Sequence, residues 1–128
     1  MATLVVLDSS AILAVIKAES GWDKVAAVLP GAAITAVNAA EIFSKLVEWQ
    51  MTEDEQNKYQ SLLHDMIAPY DYDLALRTGA LRRSTKSRGL SLGDRACLAF
   101  AQKLGVPAMT ADKAWAGLDI GIEIRVIR

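Results

Sequence analysis

The feature that most constrains this chain is its first apolar run. Leu4-Val5-Val6-Leu7 is continuous rather than alternating, and it stops at Asp8-Ser9-Ser10 before Ala11-Ile12-Leu13-Ala14-Val15-Ile16. A short unbroken run suits a parallel strand buried on both faces, because a strand with one wet face alternates. Serine is a good helix cap, so Ser9 or Ser10 is expected to start a helix at Ala11. An acid placed directly after such a strand lies close to the core and needs a partner there.

The rest of the chain repeats the alternation of strand and helix. The pattern predicts a helix over Trp22–Leu29, a break at Pro30-Gly31 and a strand over Ala32–Thr35. Asn38 then opens a helix whose apolar residues Ile42, Phe43, Leu46 and Trp49 recur at helical spacing. Thr52 and Glu55 carry the capping-box signature of a helix reaching about Asp65. A weak strand follows at Ile67–Tyr70, then a helix from Asp71 to Ser87 that ends at Gly89. Ser91 starts a helix to Leu104, closed by Gly105. Val106–Thr110 and Ile122–Ile127 are the remaining strands, the last marked as an edge by Glu123 and Arg125. Strands separated by helices in this way imply an α/β layered fold with a mainly parallel sheet. In such folds the ligand site lies beyond the carboxyl ends of the strands.

Composition removes several classes of function. The 128 residues suit one domain, expected to span 1–128, and their 52% hydrophobic content argues against disorder. One cysteine, Cys97, excludes an internal disulfide framework and any paired-cysteine zinc site; one histidine, His64, excludes multi-histidine metal sites. A net charge of −1 rules out binding nucleic acid through overall positive charge. The longest apolar stretch is interrupted at Asp8, so neither a membrane span nor a signal peptide is expected, and a cytoplasmic protein is the simplest reading. No G-x-G-x-x-G, P-loop or G-x-S-x-G is present, which argues against dinucleotide, nucleotide-triphosphate and hydrolase-elbow sites. A phosphatase-like site would carry Asp-x-Asp, and here serine follows at the second position after Asp8.

Four carboxylates fall at one edge of the expected sheet. Asp8 ends the first strand, Glu41 lies in the first turn after the second, Asp94 in the first turn of the Ser91 helix, and Asp112 just past Val106–Thr110. Convergent carboxylates repel one another unless a cation lies between them. An all-oxygen donor set without Cys or His suits Mg²⁺ or Mn²⁺, and the chemistry it favours is metal-assisted hydrolysis of a phosphodiester. Each acid also has a structural reading. Asn38-x-x-Glu41 and Ser91-x-x-Asp94 both fit capping boxes, and Glu41 could pair with Lys45 one turn on.

Between Asp73 and Asp94 there is no acid, while Arg77, Arg82, Arg83, Lys86 and Arg88 all fall there. Read structurally, these are cations near a helix C-terminus. Read functionally, Arg82, Arg83, Lys86 and Arg88 form a rim that grips substrate phosphates beside the acids. Trp22, Trp49 and Trp115 are expected in the core or an interface, and His64, Glu48 and Glu53-Asp54-Glu55 at the surface.

Taken together, Val5-Val6-Leu7-Asp8-Ser9-Ser10-Ala11, Ala36-Val37-Asn38-Ala39-Ala40-Glu41, Leu90-Ser91-Leu92-Gly93-Asp94-Arg95 and Thr110-Ala111-Asp112 resemble the PIN-domain ribonucleases, most closely the VapC-type toxins of bacterial toxin–antitoxin modules. The resemblance covers essentially the whole chain. It implies a three-layer α/β/α fold, Mg²⁺- or Mn²⁺-dependent endoribonuclease activity on RNA, and metal ligation around Asp8, Glu41, Asp94 and Asp112. It also implies a homodimer, and a cognate antitoxin whose C-terminal segment covers the active-site groove. Some members carry a further acid shortly after the position of Asp112; here Ala114, Trp115 and Ala116 follow. The alternative is a catalytically silent RNA-binding or scaffold domain of the same fold.

Overall fold

The unbroken Val5–Leu7 run forms β1 at the centre of a sheet, where a strand apolar on both faces is at home. The computed structural model describes residues 2–128. Around β1 stand β2 (Ala32–Thr35), β3 (Ile67–Ala68), β4 (Ala108–Thr110) and β5 (Ile124–Val126), in the order β3-β2-β1-β4-β5 with every pairing parallel. The helices are α1 (Ser9–Lys17), α2 (Trp22–Val28), α3 (Ala36–Glu48), α4 (Glu53–Leu63), α5 (Tyr72–Ala80), α6 (Arg82–Thr85) and α7 (Leu92–Leu104).

The two-residue period of a strand sorts β1 onto two cores. Val5 and Leu7 join Ile12 of α1, Val25 of α2, Ile42 of α3 and Leu63 of α4. Val6 joins Leu98 and Ala101 of α7, with Leu81, Trp115 and Leu118. The result is the expected three-layer α/β/α fold. Gly105 ends α7 in the left-handed conformation, as a glycine after a last helical turn does.

Several local expectations are corrected. Leu4 is exposed and outside β1, and α1 begins at Ser9 with Asp8 at its cap position, so neither serine caps it. Thr35, not Asn38, caps α3: its hydroxyl accepts from the Asn38 main-chain N–H, and the helix starts three residues early. The expected Asp71–Ser87 helix is broken at Leu81, which is buried in the second core. Thr85 and Ser84 hydroxyls bond back to the Leu81 carbonyl there, competing with the helical ladder, and Gly79 just before the break is a poor helix former. The last two strands are shorter than expected, although β5 is an edge strand with Glu123 and Arg125 paired on it. Trp115 is buried, Trp49 is half-buried under the Lys17 ammonium, and Trp22 is largely exposed. Among the described residues no helix is long and apolar enough to cross a membrane.

Candidate active site

Asp8 ends β1 with 2% of its surface exposed. Its main-chain N–H donates to Met109 O of β4 at 2.9 Å, which fixes the residue before its side chain is considered. One carboxylate oxygen, Oδ2, accepts from the hydroxyls of Ser10 (2.7 Å) and Thr110 (3.0 Å). Those hydroxyls are held in turn by the N–H groups of Ala111, which donates to Ser10, and Asp112, which donates to Thr110. The other oxygen, Oδ1, is approached only by the Ser9 hydroxyl at 3.5 Å, whose single proton goes to Glu41 at 3.0 Å. Ser9 and Ser10, read as helix caps, therefore orient the acid instead.

Glu41 is placed from two sides. Its Oε1 accepts from the Ser9 hydroxyl at 3.0 Å and from Asn38 Nδ2 at 3.1 Å, and among the described residues Oε2 has no hydrogen-bond partner. The pairing with Lys45 does not form, because Lys45 pairs with Glu48 instead. Gly93 of α7 lies against the Glu41 carboxylate so closely that a Cβ at 93 would overlap it. Glycine here is the absence of a side chain that would evict Glu41.

Asp94 fulfils the capping-box reading: its Oδ2 accepts from the Ser91 main-chain N–H at 2.9 Å while Ser91 Oγ accepts from its own N–H. Its Oδ1 has no partner among the described residues. Capping and site membership do not compete, since the cap claims one oxygen only. Asp112 is exposed and uses Oδ1 to cap the short turn Lys113–Trp115 through Ala114 N–H. It is tied to Asp8 only through the Thr110 hydroxyl.

Electrostatics group the acids in the same way. Burial pushes the Asp8 carboxyl up to about 6, with the charges of Asp94 and Glu41 adding to the rise and the Ser10 and Thr110 hydroxyls opposing it. The Cys97 thiol, buried one turn below Asp94, is pushed well above its ordinary value by burial and by the charges of Asp8, Asp94 and Glu41. It is an inert core residue. The fold thus brings Asp8, Glu41 and Asp94 together and leaves Asp112 at the rim.

Among the described residues, no three His, Cys, Asp or Glu side chains stand close enough together to form a finished metal cage. The donors nonetheless fit Mg²⁺ or Mn²⁺. Mg²⁺ keeps several waters and is commonly held by one or two carboxylates with substrate phosphate completing the shell. Asp8 Oδ1, Glu41 Oε2 and Asp94 Oδ1 are carboxylate oxygens left uncommitted or nearly so, beside a buried acid whose ionisation a cation would favour.

Of the basic stretch, Arg82, Arg83 and Lys86 are exposed and carry no ion pair among the described residues. Arg77 pairs with Asp73. Arg88 is committed elsewhere: its guanidinium donates to the carbonyls of Ala114 (3.1 Å) and Ala116 (2.6 Å), bracing the loop after Asp112. His64 is exposed beside Asp65. A concavity of about 510 Å³ between α1, α2 and α4 is lined by apolar residues such as Ile12, Leu29, Tyr59 and Met66 and by none of the four acids. Thr35, Asn38, Thr110 and Gly93 carry the acids without being acids, so a search for ionisable residues passes over them. The Thr-x-x-Asn spacing after Ala32-Ala33-Ile34 is the one signal that could have found the first pair.

A sequence profile of the PIN domain matches residues 5–120, and the chain belongs to that family, whose members are in general nucleases. A search of curated protein sequences gives no match. Among solved structures, the fold is similar to a chain of DNA-bound VapBC from Salmonella typhimurium, with a TM-score of 0.74, 15% identity, and coverage of 98% of this chain and 99% of that one. It is similar to a chain of a toxin–antitoxin complex from Klebsiella pneumoniae, at a TM-score of 0.70, 20% identity, and coverage of 92% and 94%. It is also similar to a chain of VapBC-5 from Mycobacterium tuberculosis, a member of the VapBC family of toxin–antitoxin systems, at a TM-score of 0.66, 28% identity, and coverage of 98% and 99%.

The position of Asp8 has a measurable consequence in the metal-free protein. Its folded value of about 6 lies above the ordinary 3.8, so folding takes up a proton between them. The associated stability is complete below pH 3.8 and is lost as pH rises through about 6. At neutral pH the loss amounts to on the order of 2–3 kcal/mol. Urea unfolding in EDTA from pH 4 to 8 should show this term in the wild type and not in Asp8→Asn, which should be the more stable protein at pH 7.5. Parallel pH profiles for the two would contradict it.

Proposed function

We propose that this chain is a divalent-metal-dependent endoribonuclease that hydrolyses RNA phosphodiester bonds, and that it is the toxin of a toxin–antitoxin pair. The observation that carries the reading is the Asp8 carboxylate. It is buried and has one oxygen bound by the Ser10 and Thr110 hydroxyls. The other oxygen is nearly free, and Glu41 and Asp94 are its charged neighbours. A capping acid has no need of burial or of two further acids beside it.

In this reading Asp8, Glu41 and Asp94 would hold Mg²⁺ or Mn²⁺, with Asp112 at the rim reaching it through water. When bound, the cation would supply Lewis-acid polarisation of the scissile phosphate and a lowered pKa for the attacking water. Asp8 anchors the site, since its geometry is set by β1, β4 and two hydroxyls together. Glu41, with one carboxylate oxygen unclaimed, can orient the attacking water and accept its proton. Asp94 caps α7 through Oδ2, which accepts the Ser91 N–H, and keeps Oδ1 for the cation. Arg82, Arg83 and Lys86, exposed and without ion pairs among the described residues, would meet phosphates along the substrate strand. Arg88 serves by bracing the Asp112 loop.

The toxin assignment draws on the VapBC complexes, which pair a toxin with an antitoxin. A cognate antitoxin is the expected protein partner, and a homodimer is the expected assembly.

Cleavage of RNA by the purified protein should require Mg²⁺ or Mn²⁺ and stop in EDTA. Asp8→Asn and Asp94→Asn should keep the fold, as judged by cooperative melts, and lose at least ~100-fold in rate, the scale of a general base or metal ligand. Full activity in EDTA, or wild-type rates in both variants, would sink the metal-nuclease reading and leave the acids as helix caps, whereas RNA binding without cleavage at any metal concentration would favour the silent alternative.

The basic segment is tested separately. Replacing Arg82, Arg83 and Lys86 together by Ala should reduce the slope of log affinity against log salt by roughly 2, at ~0.7 per contact to single-stranded nucleic acid. Affinity for Mn²⁺ should not change. Unaltered RNA affinity would return these residues to an ordinary solvated surface.

A further inference from the structure

We infer that Asn38 is a positioning residue that fixes the separation between Glu41 and Asp94; the inference rests on the metal-dependent reading above. Asn38 is fully buried at the start of α3, one turn before Glu41. Its Nδ2 donates one hydrogen to Glu41 Oε1 at 3.1 Å and the other to the Gly93 carbonyl at 3.0 Å. Its Oδ1 accepts the Thr35 hydroxyl at 2.7 Å, and that hydroxyl accepts the Asn38 main-chain N–H at 3.1 Å.

This arrangement admits one amide orientation. Rotating the amide would set its oxygen against two acceptors, the Glu41 carboxylate and the Gly93 carbonyl. The Thr35 hydroxyl holds the correct face from the end of β2. Gly93 immediately precedes Asp94, so a single side chain links the helix that carries Glu41 to the first turn of the helix that carries Asp94. Without the two N–H donors, the Glu41 carboxylate, packed directly on Gly93, and the Gly93 carbonyl would each lose the donor they share. Glu41 would then turn away, and the pair of acids would lose the spacing at which both can meet one cation.

A purely structural asparagine would satisfy the same buried groups, so the test must separate stability from metal geometry. The full-length wild type, Asn38→Asp, Asn38→Ala and Thr85→Val are compared. Asn38→Asp keeps the shape and the Thr35 bond but exchanges both N–H donors for a carboxyl group that brings charge beside Glu41, so Asn38→Ala isolates the loss of the donors. Thr85→Val removes a buried hydroxyl bond remote from the acids and serves as the stability control. Mn²⁺ affinity is measured by calorimetry without RNA, and cleavage rate is followed as Mn²⁺ is raised. The expected result is a ~10- to 100-fold loss of Mn²⁺ affinity in both Asn38 variants, the scale seen when an outer-shell support is removed. Cleavage should recover towards the wild-type rate at saturating Mn²⁺, and Thr85→Val should bind Mn²⁺ as the wild type does. If Asn38→Asp fails to melt cooperatively, Asn38→Ala carries the test. Wild-type Mn²⁺ affinity in a folded Asn38 variant overturns the inference while leaving the nuclease reading intact. A wild type that neither binds Mn²⁺ nor cuts RNA overturns both.

Discussion

The structure depends on an ionisable group placed where ionisation is unfavourable. Asp8 is the hinge between β1 and α1, its main chain is bonded to β4, and its carboxylate is almost fully removed from water. A carboxylate at such a depth requires donors, and the fold supplies hydroxyls from two directions: Ser10 from the first turn of α1 and Thr110 from the end of β4. These are neutral donors. They orient the charge without cancelling it, whereas an arginine or lysine would neutralise it and leave nothing for a cation to do. The hydroxyls also reach onward, through Ala111 and Asp112, into the loop that carries the outermost acid.

The parallel sheet makes the remaining geometry possible. Because β1, β2 and β4 run in one direction, their carboxyl ends and the turns beyond them share an edge, and Asp8, Thr35 and Thr110 arrive there together. α3 leaves β2 through a threonine cap, and α7 begins at a serine cap on the same edge. Main-chain N–H groups at those starts favour negative charge, which lowers the cost of gathering acids beside a buried one. Steric room completes the arrangement, since Gly93 lets the Glu41 carboxylate lie directly on α7.

The fold was legible in the chain because its strongest signals are local. The continuous Leu4–Leu7 run, the Thr52–Glu55 box and Gly105 each report a physical requirement met within a few residues. Boundaries were less legible where side chains compete with the backbone. The long helix expected before Gly89 breaks because Leu81 is drawn into the core and Thr85 bonds back to its carbonyl, which is a tertiary effect. The acids were visible as residues, and their edge followed from topology. Which acids meet, and what holds them, was not visible: Asn38 and Glu41 touch Gly93 across more than fifty positions of chain, and Ser10 touches Thr110 across a hundred. Arg88 is the clearest reversal. Its charge suggested phosphate binding, and its guanidinium is occupied by two carbonyls.

The measurement that tests the central claim most directly is anomalous diffraction from crystals grown with Mn²⁺. One peak is expected bonded to Asp8 Oδ1, the oxygen that Ser10 and Thr110 leave free, at about 2.1–2.2 Å as for hard divalent cations with oxygen ligands. Glu41 and Asp94 should contribute further ligands directly or through water, and Asp112 no closer than through water. A peak elsewhere, or none at saturating Mn²⁺ with Asp8 unchanged, would contradict it.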